Sequence, residues 1–435
     1  MPVRTVPDAC PGVFAPHDAA DGALARIRLP GGVIGAAALR VVADCAQGLG
    51  DGRAHLTSRG NLQLRGLSRS GALAARLADA GLLPSATHER VRNVLASPLA
   101  GITCGAADPP LGVSTVVPAA NDPRFGTSTV EQAALHVPNR GSPDVRAMAA
   151  TLDRGLCVRP VLADLPGRFL FALDDGRGDV AAEDPDLCWQ APDRLLVAGV
   201  DTGLRVAAAE VVDALLDAAE AFLALRAADG GKAWRAVELA GAPARIGTAL
   251  AGSGSEFAGP AAGSCRESHV PDVGRPEGGF PDNPAARPGP VRRADGGLAL
   301  VVAPLLGELT AGQVRLLADA APSVVITPWR TVVLPEPHVA AAELAAAGLL
   351  VEPGPGADVS ACAGRPGCAK ALADVRADAL AALSVSSGAG LPGGRVHVSG
   401  CARRCGAPRA AHVDAVALAG GGYLVGGVPR PGLAP

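Results

Sequence analysis

Near the end of the chain four cysteines arrive as two close pairs, Cys362-Ala-Gly-Arg-Pro-Gly-Cys368 and Cys401-Ala-Arg-Arg-Cys405. Four thiolates hold an iron–sulfur cluster, and four also suit a structural zinc ion. Close pairing lets one folded loop present two sulfurs to one side of the bound group. Neighbouring glycines admit backbone N–H groups toward sulfur, and Arg365, Arg403 and Arg404 offset thiolate charge. The five-residue spacing of the first pair is wider than that of the usual zinc knuckle.

The totals bound what surrounds this quartet. A chain of 435 residues exceeds one ordinary core and predicts roughly two to four compact units. Apolar residues make up 49% and aromatics only 3%, so the core is built from Ala, Leu and Val. A net charge of −3 without long runs of either sign speaks against a nucleic-acid binder or a membrane-surface protein. The N-terminus, Met-Pro-Val-Arg-Thr-Val-Pro-Asp, has no apolar signal core, and no stretch reads as a membrane span. Ten cysteines are too few for a disulfide-dense secreted domain. We therefore expect a cytoplasmic, reducing compartment, where a clustered quartet holds metal rather than cross-links. Cys10, Cys45, Cys104, Cys157, Cys188 and Cys265 read as small hydrophobes or incidental thiols.

The elements that position the quartet repeat. Leu24–Leu29 alternates like a strand, Ile34–Gly48 has helical periodicity, and His55–Gly66 alternates as a half-buried strand. Ala72–Ala80 resumes as a helix. Late in the chain Leu298–Val302, Thr310–Ala320 and Val324–Leu334 again read as strand, helix and strand. Arg40-Val-Val-Ala-Asp44 lines up with Arg315-Leu-Leu-Ala-Asp319, and Leu56-Thr-Ser-Arg59 with Ile326-Thr-Pro-Trp-Arg330, the arginine offset by one. This is an internal duplication. Between the halves, Gly252–Gly297 is rich in Gly, Pro, Ser and charge, and reads as a linker or exposed loop.

Together these motifs resemble the sulfite/nitrite reductase haemoprotein superfamily. The C-x5-C, gap, C-x3-C spacing is similar to its [4Fe-4S] pattern. Thr57-Ser-Arg-Gly-Asn-Leu-Gln-Leu-Arg65 resembles its half-domain signature, Arg92-Asn-Val its next block, and Leu165-Pro-Gly-Arg-Phe-Leu-Phe-Ala-Leu-Asp-Asp-Gly176 the one after. Within that superfamily the chain looks most like the precorrin-3B synthase branch of aerobic cobalamin biosynthesis, by its length and by His397-Val-Ser-Gly-Cys-Ala-Arg-Arg-Cys405-Gly-Ala-Pro408. Reductases of the superfamily place two lysines beside the oxyanion; here those positions hold Arg168 and Leu170.

The resemblance implies an α+β fold of two ferredoxin-like half-domains and two larger mixed α/β units, related by pseudo-two-fold duplication. It divides the chain into a half-domain over 15–85, a reductase-like unit over 86–250, a linker over 251–297, a second half-domain over 298–352 and a cluster unit over 353–430. It implies a monooxygenase that hydroxylates C-20 of precorrin-3A with O2 and closes a γ-lactone. Cys362, Cys368, Cys401 and Cys405 would hold the [4Fe-4S] cluster, beside a non-haem iron whose ligands stay open. Sirohaem would take part only in the reductase alternative, and a zinc or iron–sulfur scaffold without turnover is the non-enzyme alternative.

Precorrin-3A carries many carboxylates, which arginine's planar fork binds bidentately. By resemblance Arg59, Arg92 and Arg168 face the tetrapyrrole or the reacting centre. Arg59 and Arg65 are expected on one face of their strand, being an even number of residues apart. With no G-x-G-x-x-G in the chain, a reduced nicotinamide would act through an external electron donor or reductase. Asp174-Asp-Gly-Arg-Gly-Asp179 reads as a hairpin turn, and structural roles are expected for His55, His397 and His412.

Overall fold

The computed structural model describes residues 10–68, 71–103, 143–252, 283–384 and 391–433. Two repeats build its centre. The first has strand Gly22–Ile27, a short strand Val33–Gly35, helix Ala36–Leu49, the hairpin Arg53–Leu56 with Leu62–Leu67, and helix Ala72–Asp79. The second has strand Leu298–Pro304, a short strand Glu308–Thr310, helix Ala311–Ala320, the hairpin Ser323–Ile326 with Val332–Leu334, and helix Ala341–Ala346. The stretches 55–66 and 324–334, expected as single strands, are thus hairpins with tight turns at Thr57–Asn61 and Thr327–Thr331. The polar faces of Thr57 and Thr327 bond back to the turn backbone and close it.

Neither repeat closes on itself. The short strand Glu308–Thr310 pairs antiparallel with Arg53–Leu56 of the first repeat, while Val33–Gly35 pairs with Ser323–Ile326 of the second. The exchange knits both sheets into one body. The helices Ala36–Leu49 and Ala311–Ala320 pack on each other over the same faces of the sheets, with Leu39, Val42, Val314 and Leu317 in one buried cluster. Thr310 caps the second helix in a reciprocal box with Gln313. Alternation in Gly22–Ile27 sends Ala23, Ala25 and Ile27 into that core and leaves Arg26 on the opposite face, followed by buried Arg28 just past the strand end.

The opposite faces of these sheets meet two larger units that also share one topology. In the first, strands Val94–Ala96, Phe171–Asp174 and Leu187–Gln190 run parallel, and Arg194–Val197 and Val200–Arg205 continue antiparallel. In the second, Val359–Ala361, Val396–Ser399 and Val413–Ala417 are parallel, followed by antiparallel Tyr423–Val425 and Val428–Arg430. Helices Val145–Val158 and Val211–Ala228 cover the outer face of the first, and helix Val375–Ser384 that of the second. The duplication therefore extends through the whole described chain.

Two expectations need correcting. The segment expected as a linker to residue 297 includes strand Gly289–Arg292, which pairs with Leu298–Pro304; the Asp295-Gly-Gly turn lets the chain double back there. Most of the rest of that segment, 253–282, lies outside the described residues, as do Cys104 and Cys265. Second, Asp174–Asp179 is not a hairpin turn, because the strands on either side of it are parallel. Among the described residues no helix is long and apolar enough to cross a membrane.

Candidate functional site

The four units meet around a cavity of about 1210 Å³. Its walls come from the two tight turns (Arg59; Trp329 and Arg330), from the acidic segment after Phe171–Asp174 (Asp179, Glu183) and from the cysteine unit (Ser360, Gly406). Arginines dominate its charge: Arg59, Arg235, Arg330, Arg395, Arg404 and Arg409 all line it.

Guanidinium groups crowd one side. Burial lowers the pKa of Arg59 to about 10, and Arg235 and Arg26 add like-charge repulsion. Arg28 is pushed down to about 9 by burial, then by Arg26, with Arg59 adding to it. Arg26 is lowered by burial, with Arg168 acting in the same direction. The buried Nε of Arg26 and Nη1 of Arg28 have no hydrogen-bond partner. Of Arg26, Arg28 and Arg59, it is Arg59 that lines the cavity.

Arg59 sits in the turn between its two strands, not on a strand face with Arg65 as expected. Arg92 is a correction. It is 3% exposed, and its guanidinium is bidentate with Asp153 at 2.6 and 2.7 Å while Nη1 donates to the Leu82 carbonyl at 3.1 Å. With these donors spent inside the unit it does not line the cavity. Arg168 is exposed and stacks 5.3 Å from the Trp234 ring, outside the residues that line the cavity. Leu170, two residues on, does line the cavity. Its backbone N–H is pinned at 2.8 Å by buried Asp186, which also accepts from Arg235 at 2.7 Å.

Arg26, Arg28 and Arg235 were missed because their spacing is that of ordinary surface residues. Arg330 was legible only as the offset arginine of the repeat.

The cysteines flank the same cavity. Cys362 follows strand Val359–Ala361, and Cys401 lies just beyond Val396–Ser399 on the neighbouring strand, so the sheet brings the pairs together. Burial raises the Cys405 thiol, Arg403 lowers it, and Cys362, Cys401 and Cys368 each push it further up. The other three sulfurs are thus all within electrostatic reach of Cys405. Gly400 donates its N–H to Cys362 Sγ at 3.2 Å, and a Cβ there would meet Ala371 Cβ at 2.6 Å, so only glycine fits the approach. Among the described residues no three of these sulfurs lie within 4.8 Å of one another. Four thiols in two pairs are the donor set of a [4Fe-4S] group.

His397 is buried, its Nδ1 2.9 Å from Ser360 Oγ, and the Cys405 backbone acts on its ring by a hydrogen bond. Burial, then Arg330 and His412, lower its pKa to about 4, so it is neutral at pH 7. On the opposite wall the duplication sets Ser97 where the second unit has Cys362, each directly after its first strand. Ser97 Oγ donates to Asp179 at 2.7 Å, and Asp174, Asp175 and Asp179 lie within 4.8 Å of one another. Burial and the neighbouring Asp174 raise Asp179 to about 7.

Comparison with known proteins agrees with this architecture. Residues 17–78 match the nitrite/sulfite reductase ferredoxin-like half domain. The structure of Mycobacterium tuberculosis NirA protein matches with a TM-score of 0.62 at 21% identity, covering 93% of this chain and 73% of that one. The fold is sulfite/nitrite reductase-like. A ferredoxin–nitrite reductase from Leptolyngbya laminosa is 38% identical over 81 residues, which span 18% of this chain and only 16% of that protein's length. In this chain the half-domain turn carrying Arg59 and the cysteine unit both line one cavity.

Proposed function

We propose that this chain is an oxidoreductase that binds a polycarboxylate tetrapyrrole in the cavity and receives electrons through an iron–sulfur cluster on Cys362, Cys368, Cys401 and Cys405. The finer reading is precorrin-3B synthesis: precorrin-3A is hydroxylated at C-20 and closed to a γ-lactone. One oxygen atom of O2 enters the product and the other leaves as water. The two electrons come from a reduced nicotinamide through an external reductase.

The observation that carries this reading is the arginine-lined cavity of about 1210 Å³ with Gly406, next to Cys405, on its wall. Arg59 and Arg395 would each take a peripheral carboxylate in a bidentate fork, and Arg235, held by Asp186, would add its charge. Trp329 offers an apolar face, its indole fixed by a 2.9 Å bond to Glu183. Asp179, protonated up to about pH 7, holds a proton at the cavity wall. A bound cluster would supply electrons one at a time. The reading includes a non-haem iron without assigned ligands: Asp174 and Asp179 accept from backbone N–H groups and Ser97, while Asp175 is ion-paired with Arg177 at 3.2 Å and its buried Oδ2 has no hydrogen-bond partner.

A second reading, a sirohaem-dependent nitrite or sulfite reductase, draws on the half-domain match and on the name of the Leptolyngbya laminosa relative. Leu170 weighs against it, placing an apolar side chain on the cavity wall where such an enzyme would hold a lysine. Anaerobic purification separates the two. The proposal expects acid-labile sulfide with iron in excess over it, by the one non-haem iron, and no extractable sirohaem. A sirohaem spectrum with nitrite or sulfite turnover would replace it with the second reading.

A further inference from the structure

The two tight turns close in the same way. Gly60 N–H donates to the Thr57 carbonyl at 3.2 Å and Thr57 N–H to Asn61 at 3.0 Å; Arg330 donates to Thr327 at 3.2 Å and Thr327 to Thr331 at 3.0 Å. Arg330 therefore stands where the first repeat has Gly60, and both have φ of 61°. Glycine takes this left-handed conformation freely, whereas a long L side chain is strained in it.

The surroundings make room for that side chain. A Cβ on Gly307 would come within 2.6 Å of Arg330 Cδ, and one on Gly406 within 2.9 Å of its Nη2. The guanidinium ends on the cysteine unit, where Nη2 donates to the Gly406 carbonyl at 2.7 Å, one residue beyond Cys405. Closing the turn does not call for arginine, since the first repeat makes it with glycine. The strain and the two clearing glycines serve the placement of one cation.

We infer that Arg330 is a positioning residue that fixes the Cys405–Gly406 turn against the cavity and holds a positive charge at the Gly406 carbonyl, one residue beyond Cys405. The inference rests on reading the cysteine quartet as an iron–sulfur site. A thiolate-held cluster gains negative charge on reduction, so a fixed cation next to one ligand favours the reduced form. Arg376 and Glu183 are the other charges that act on it.

Arg330→Gly tests this, because the backbone at this position is already glycine's own. The variant is expected to fold, its cluster-free form melting no lower than the parent by circular dichroism, and to assemble iron and sulfide normally. Its cluster becomes harder to reduce: the midpoint moves to more negative potential, the reduction equilibrium weakening about tenfold. Arg330→Lys, which restores the charge, recovers most of that shift. An assembled Arg330→Gly cluster with the parent's midpoint overturns the inference. Parent protein that binds no iron and sulfide overturns the iron–sulfur reading instead, so the two failures are distinct.

Discussion

Arg65 Nη2 lies 2.6 Å from the carbonyl oxygen of Gly367, joining the first repeat's hairpin to the loop between Cys362 and Cys368. The same guanidinium is bidentate with Asp21 at 2.9 Å on both arms. A side chain at Gly367 would collide with it, since a Cβ there would be 2.9 Å from Nη2. Arg65→Met should cost on the order of 2–3 kcal/mol, because it leaves the Asp21 carboxylate and a buried carbonyl without their donor. Chemical denaturation measures that loss. Faster removal of iron by a chelator would show that the cysteine loop has loosened with it.

Arg59 and Arg92 should separate binding from stability. Arg92→Met breaks a buried ion pair with Asp153 and should destabilise the fold by about 3 kcal/mol. Its effect on substrate KM should be small. Arg59→Met should do the reverse, with near-parental unfolding and weaker tetrapyrrole binding, by roughly tenfold for one lost bidentate contact. Paired denaturation and binding titrations check both.

His55 predicts a pH dependence. Burial works against its charge, but its bonds to Asp51 and Glu308 outweigh that and raise its pKa above 6.5. Folding stability from this group is therefore complete below about pH 6.5 and is lost as pH rises through the higher folded value. Because Glu308 also binds Arg376 of the cysteine unit at 2.6 Å, the loss falls on the seam between strand exchange and cluster unit. His55→Gln should flatten the stability profile between pH 6 and 8.

Asp179 should behave with the same sign. Its folded pKa of about 7 is raised from 3.8, so its contribution is fully present below pH 3.8 and is lost as pH rises through about 7. Asp179→Asn keeps an oxygen for Ser97 and Val180 while removing the charge. It should stabilise the protein at pH 8, on the order of 2 kcal/mol, and change it little at pH 4. Thermal melts at the two pH values measure the difference.

Much of the fold was legible because hydrophobic period and repeat are local signals. Arg40-Val-Val-Ala-Asp44 and Arg315-Leu-Leu-Ala-Asp319 pointed to the duplication, and the structure pairs them crosswise: Arg40 with Asp319 at 2.6 Å and Arg315 with Asp44 at 2.9 Å. The strand exchange was not legible, since Val33–Gly35 and Glu308–Thr310 are too short to carry a period and their pairing is set by tertiary contact. At the site the cysteines were readable from residue type alone. The arginines were not: Arg92 and Arg168 sit in motif-like blocks, yet Asp153 and Trp234 claim them. Arg235 and Arg26 reach the cationic cluster from segments without any motif.

The cluster assignment gives a plain contrast. Cys401→Ser should lose the iron–sulfur absorbance and all turnover. Cys188→Ser should do neither, because that thiol is buried at 1% exposure in the apolar cluster with Leu95, Leu170 and Ala172. Absorption spectra of the two variants decide it.

The most direct measurement is the mass of precorrin-3A after incubation with the cluster-loaded protein, O2 and a reducing system. The account predicts a product heavier by one oxygen atom, with label incorporated from ¹⁸O2. Unchanged precorrin-3A in the presence of an intact, reducible cluster would contradict it.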